Sequence, residues 1–292
     1  DEKALELYLQ ALKIAEQIKD SVRTMTVLLN IGTIYGEKPA TYEKAIDYYE
    51  KAWPYAKVML DNDAIGTITG NLGEIYLKTN KDSLALINLE RSLAAYEGTE
   101  NVPYTLNLIG QLYAKRQDFD KALDYQTKAL SIAEKFDAKL DMAKSLLGMA
   151  DTYKHKGDTK AALSTYHQAE EIAKAVGADL ELKKTYEGLA SSYSSIKDYA
   201  NAFKYQALLT DIKDTLYNID TDKKLGTLLF NFEIEKKQSE INLQQEEISK
   251  QKIVRNSFIG GFAIVLLFAA VFLKQRNRIS KEKQRSEDLL LN

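Results

Sequence analysis

The sequence predicts an all-α protein: a superhelical array of helix pairs, a long stalk helix, one membrane-crossing helix and a short terminal helix. Three observations predict it. A short motif ending in tyrosine recurs five times, at intervals of 37 to 41 residues. Only three prolines occur among 292 residues. The stretch Ser257–Leu273, SFIGGFAIVLLFAAVFL, runs for seventeen residues without a charge.

Composition narrows the function classes. The formal net charge is −2, so global charge offers no argument for a nucleic-acid partner. The absence of cysteine rules out disulfides and thiolate metal sites. Tyrosines number 18 against 9 phenylalanines, a ratio suited to half-buried packing positions between helices. The chain opens without Met inside a helical pattern, DEKALELYLQALKIAEQ. The expectation is that further residues precede it, a signal peptide among them.

The repeats come first in the chain. NIGTIY, NLGEIY, LIGQLY, GMADTY and GLASSY end at Tyr35, Tyr76, Tyr113, Tyr153 and Tyr193. Three residues before each tyrosine stands a small residue: Gly32, Gly73, Gly110, Ala150 or Ala190. Nine or ten residues after it stands an alanine: Ala45, Ala85, Ala122, Ala162 or Ala202. The small residues let two backbones approach, and the tyrosine ring is expected to fill the adjoining hollow. One such pair cannot bury its own apolar face, so pairs stack. ALELYLQAL, from Ala4, is the second half of a further copy. Five pairs plus this partial one occupy residues 1–215.

These motifs resemble the tetratricopeptide repeat, in the long-helix form with a period near 40. The resemblance implies that the first helices line a concave groove accepting an extended peptide or protein segment. By register its positions are Asn30, Thr33, Asn71, Glu74, Asn107, Gln111, Lys144, Asp151, Lys154, Glu187 and Ser191. Asparagine suits that task, because one amide both donates to and accepts from a peptide backbone. The alternatives are a solvated polar face, self-association, or packing within the chain.

Residues 216–252 follow as a stalk rich in Glu, Gln, Lys, Leu and Ile, all good helix formers. Ile234, Ile241 and Ile248 recur every seven residues, the spacing of a coiled coil. A dimeric stalk, and hence a homodimer, is expected. The alternative is a single helix, exposed or packed on the last repeat.

The apolar run, extended by Ile253 and Val254, defines a transmembrane helix over 253–273. Basic residues flank it, with six Lys or Arg in the sixteen positions after it and three in the sixteen before. The positive-inside rule then places the C-terminus in the cytoplasm and the repeats outside. The expectation is a single-pass protein of a bacterial inner membrane with a periplasmic array; the reverse orientation is the alternative. Ser257 and Gly261 form a small-residue face for helix pairing within the span.

The remaining residues, 274–292, form a cytoplasmic transducer helix expected to continue into something further. KEKQRSEDLLLN, residues 281–292, is similar to the helix before the catalytic domain of class III adenylate/guanylate cyclases. That implies the receptor and transducer portion of a membrane signalling protein, whose dimeric nucleotidyl cyclase is absent from this chain. A repeat-containing histidine kinase, or a tethered scaffold without enzymatic output, are the alternatives. No catalytic, cofactor-binding or metal residue is expected here. The histidines are His155 and His167 alone, and no HExxH, P-loop, GxGxxG or GxSxG pattern occurs.

Overall fold

A computed structural model describes residues 2–290. The side chains of 2, 220, 222–223, 225–236, 239–240, 263–265, 267, 282 and 284–290 lie outside the described residues. The chain divides into two units, Asp1–Leu225 and Gly226–Asn292.

The described residues of the first unit are helical apart from short turns. Its helices are α1 (Glu2–Gln17), α2 (Ser21–Gly36), α3 (Tyr42–Met59), α4 (Asn62–Lys78), α5 (Asp82–Ala95) and α6 (Val102–Lys115). There follow α7 (Phe119–Lys135), α8 (Lys139–Lys156), α9 (Thr159–Ala175), α10 (Asp179–Ser195) and α11, assigned over Tyr199–Leu290. A 3-10 turn (Pro39–Thr41) links α2 to α3. Each helix from α1 to α9 packs on the next in sequence, and α2, α4, α6, α8 and α10 also touch in series. The first helices therefore form one continuous face.

Repeating local chemistry sets the turns. Lys19, Leu60, Gln117, Gly157 and Lys197 all take left-handed backbone angles, φ between 54° and 88°. An aspartate follows each: Asp20, Asp61, Asp118, Asp158 and Asp198. Its carboxylate accepts from the backbone N–H three residues on, at 3.0 to 3.4 Å. The left-handed residue closes one helix and the aspartate caps the next, so reversal takes only a few residues.

Packing follows a second recurrence. Ala45, Ala85, Ala122 and Ala162 are completely buried. Four residues after each stands Tyr49, Leu89, Gln126 or Tyr166, again fully or almost fully buried. These side chains press on the small residues of the first helices. A Cβ added at Gly32 would meet Tyr49 at 2.7 Å, at Gly73 Leu89 at 2.6 Å, and at Gly110 Gln126 at 2.7 Å. The hollow beside the small residue is thus filled from the second helix, and the recurring tyrosine stands elsewhere. Tyr35, Tyr113 and Tyr193 are half-buried and stack on Tyr48, Tyr125 and Tyr205 at 5.5 to 5.7 Å between centroids. Lys44, Lys81 and Lys121 lie over the Tyr35, Tyr76 and Tyr113 rings at 5.3 to 5.7 Å. A ring with one apolar face inward and a wet edge explains why tyrosine serves here.

The second unit is the later part of α11. Ile241 and Ile248 are exposed there, and the Ile234 side chain lies outside the described residues. Among the described residues no helix is long and apolar enough to cross a membrane. This overturns the transmembrane helix expected at 253–273, and with it the single-pass inner-membrane location and the periplasmic placement of the repeats. The side chains of 263–265 and 267 in that stretch lie outside the described residues. The physical reason legible in the sequence is length. Seventeen uncharged residues rise about 25 Å, short of a hydrocarbon core of about 30 Å. Ser257 and Gly261 are exposed, and nothing among the described residues comes within 4 Å of a Cβ built at Gly261.

Candidate binding groove

The serial contact of first helices creates a groove of about 1000 Å³ between α4, α6, α8 and α10. Five of the eleven positions read from the sequence line it: Glu74, Asn107, Gln111, Lys144 and Asp151. Asn71, Lys154, Glu187 and Ser191 lie on the same helices without lining this cavity, and Asn30 and Thr33 stand outside it on α2. Glu187 stands 3.6 Å from Lys213 instead.

The N-terminal end of the polar face is already knitted together. Asn71 donates to the Tyr49 hydroxyl at 3.0 Å, and Tyr49 donates to Thr33 Oγ1 at 3.2 Å. Tyr104 donates to Asn71 Oδ1 at 3.2 Å and to Glu74 Oε2 at 2.7 Å. Lys78 pairs with the other Glu74 oxygen at 2.8 Å. Burial works to raise the Glu74 carboxyl, but the Lys78 ammonium and Tyr104 hydroxyl hold it below the ordinary carboxylate range. The Tyr104 phenol is pushed far up, first by burial and then by the Glu74 charge. Tyr104 therefore stays a neutral donor locked to a carboxylate.

The middle of the groove is different. Asn107 is 7% exposed and donates to Ser145 Oγ at 2.8 Å, but its Oδ1 has no hydrogen-bond partner among the described residues. An orphaned buried acceptor costs about 1–3 kcal/mol. Beside it Gln111 is exposed, and Lys144 is 3.8 Å from Asp141, a loose pair. Gln126, buried below, accepts from Thr152 at 3.0 Å. Asp151 accepts from the Tyr166 hydroxyl and lies 3.7 Å from Lys154. The Tyr166 phenol is raised by burial and by the Asp151 charge, so this bond too is permanent near neutral pH. Lys184 and His155 complete the rim.

Sequence reasoning missed Tyr104, Tyr49, Tyr166 and Gln126. The last three share one signal, their place four residues after the second-helix alanine. Tyr104 carried none. His167 lies outside the groove, bridging Glu170 at 3.1 Å and the Tyr193 hydroxyl at 2.9 Å.

Comparison with known proteins bears on the fold. Residues 101–175 match the tetratricopeptide repeat family model. No curated relative matches the chain. BtubC from P. vanneervenii superposes with TM-score 0.59 at 18% identity, over 74% of this chain and 92% of that one. The apo quorum sensor NprR from B. thuringiensis gives 0.59 at 22% identity, over 72% and 59%. A Rap protein complexed with competence and sporulation factor gives 0.55 at 13% identity, over 73% and 70%. These likenesses show the fold: a tetratricopeptide-like, all-helical array whose central residues 101–175 carry the sequence signature of the repeat.

Proposed function

We propose that this chain is a binding module that takes an extended peptide or protein segment along the groove between α6 and α8. One observation carries the reading. Asn107, buried and with an Oδ1 that has no hydrogen-bond partner among the described residues, lines a groove large enough for a peptide, next to the exposed amide of Gln111 and the loosely held ammonium of Lys144. Rotation of the Asn107 amide toward the groove would let a backbone N–H of a bound strand satisfy that oxygen. The fold supports it: one structural neighbour is the quorum sensor NprR and another is a Rap protein complexed with competence and sporulation factor.

The test is selection from a random decapeptide library on the purified chain, followed by titration of the winners. Asn107→Ala and Lys144→Glu should each weaken binding at least about tenfold, or about 1.4 kcal/mol. Selected peptides that bind both variants as tightly as the parent would refute the site.

A sensor role, in which binding is reported to an output domain, is the second reading, favoured by the likeness to NprR. The nucleotidyl cyclase output rests on the resemblance of residues 281–292, most of whose side chains lie outside the described residues. Pairing of two copies along α11 rests on Ile241 and Ile248, both exposed. Disulfide trapping through cysteines placed at those two positions tests it, and no crosslinked dimer at either would remove it.

A further inference from the structure

The array contains one truncated tip. Helices α5 and α6 have 14 residues each, whereas α3, α4, α7, α8, α9 and α10 have 17 or 18. Both losses fall at the same end of the pair, where Tyr96–Asn101 replaces the last turn of α5 and the first of α6. The neighbouring α7 keeps its full length, so its last turn lacks the partner that the first turn of a full-length α6 would supply. The sequence shows the same defect. Position fourteen after the second-helix alanine is Met59, Phe136 and Val176 in three repeats, but Thr99 in this one. The Thr99 hydroxyl is turned to the Tyr96 carbonyl at 2.8 Å.

What remains is a hollow of about 570 Å³, separate from the groove. Its walls are apolar: Leu93 and Ala94 from α5, Val102 at the start of α6, and Ile132 and Phe136 at the end of α7. Its volume lies within the range of about 300–1,000 Å³ typical of ligand pockets. Its rim is mainly acidic. Glu90 and Glu97 are exposed, and the lining Lys135 is drawn over the Phe136 ring at 5.7 Å.

We infer that this hollow is a second binding site, for a short peptide segment presenting bulky apolar side chains flanked by Lys or Arg. The size follows from its origin, because it stands where a turn of helix from each of two elements is missing. The apolar walls recover buried area from the inserted side chains, at about 25 cal/mol per Å². The Glu90 and Glu97 carboxylates select a cationic neighbour and steer its approach. This site shares no lining residue with the groove, so it stands or falls apart from the function proposed above.

Fluorescence anisotropy with the labelled hexapeptide Gly-Lys-Leu-Phe-Lys-Gly tests it. Saturable binding is expected with Kd below about 1 mM, weakening as salt rises. Ala94→Trp fills the hollow and should weaken binding at least about tenfold, and Glu90→Lys with Glu97→Lys about fivefold or more. Asn107→Ala, in the groove, should leave it unchanged. Circular dichroism checks that each variant is helical. The inference is overturned by absent saturation, by a folded Ala94→Trp protein that binds normally, or by loss of binding in Asn107→Ala. Equal affinity for the peptide with Glu in place of Lys would overturn the cationic preference.

Discussion

The packing scheme makes a counter-intuitive prediction at Gly188. Glycine inside a helix costs about 1 kcal/mol relative to alanine, so propensity alone says that Gly188→Ala stabilises. The structure says the reverse. A Cβ at Gly188 would stand 2.3 Å from Tyr166 Cζ, 2.4 Å from Cε1 and 2.6 Å from the hydroxyl. Those atoms belong to a fully buried ring whose hydroxyl is bonded to Asp151, so relief is not a matter of one flexible tip. Moving the ring costs about 1–3 kcal/mol of overpacking. Weakening its charge-assisted hydrogen bond adds about 1–3 kcal/mol. Against a gain of about 1 kcal/mol, the net loss is about 1–5 kcal/mol. For an array of this size that lowers Tm by roughly 2–4 °C per kcal/mol. Thermal and urea melts followed by circular dichroism measure it, with Tyr166→Leu and the double variant completing a cycle. The coupling should be favourable, because Tyr166→Leu removes the atoms that the new methyl meets. A Gly188→Ala protein more stable than the parent by about 1 kcal/mol would show that propensity governs this site and that the ring yields freely.

Other positions give shorter tests. Asn107→Leu removes the orphaned acceptor at similar volume, so it should leave stability unchanged or raise it by up to about 2 kcal/mol in urea melts while abolishing peptide binding in the groove. Asp158→Ala removes a cap whose carboxylate accepts from the Ala161 N–H at 3.0 Å, and should cost about 1 kcal/mol. Gly157→Ala strains a residue at φ 88° and should cost about 1–2 kcal/mol by the same melts. Glu170 supplies a pH dependence. Burial pushes its carboxyl up, but Lys174 and His167 hold it below the ordinary value. A depressed folded pKa means stabilisation present above the unfolded value near 4.3 and lost as pH falls through the folded one. The stability advantage of the parent over Glu170→Gln should therefore be full near pH 6 and shrink below about pH 4; a constant difference would refute the assignment.

Much of the array was legible because its cause is periodic. The five tyrosines, the small residues before them and the alanines after them place five helix pairs without reference to any contact. The packing partner was not legible from the same motif. Tyr35 and Tyr49 both stand near Gly32 in sequence, and only helix geometry decides that the second-helix ring reaches it. The cavity was legible in part, since register places Glu74, Asn107, Gln111, Lys144 and Asp151 on the face that lines it. Register cannot say which polar residues their neighbours engage, because Tyr49, Tyr104 and Tyr166 arrive from other helices. The stretch at 253–273 failed for another reason. Composition and flanking charge argue for a span, but its length was marginal from the start, and hydropathy reading weighs composition above length.

The distribution of satisfied and unsatisfied groups narrows where a ligand would bind. Thr33, Tyr49, Asn71, Tyr104, Glu74 and Lys78 form one chain of hydrogen bonds and an ion pair across α2, α3, α4 and α6. A ligand contacting this end must break bonds already made, including one to a carboxylate, and gains only the difference. At Asn107 no such exchange is needed, because the acceptor has no partner to lose. If the proposed groove binds a peptide, recognition energy per contact is expected to be largest in the stretch from α6 to α8, even though asparagine occurs at both ends. Asn71, bonded to Tyr49 on α3 and Tyr104 on α6, is a structural tie between repeats. Replacing it with alanine should loosen the α2–α4–α6 face and cost stability, whereas Asn107→Ala should cost affinity. The two asparagines are alike in the sequence pattern and opposite in what their partners leave free.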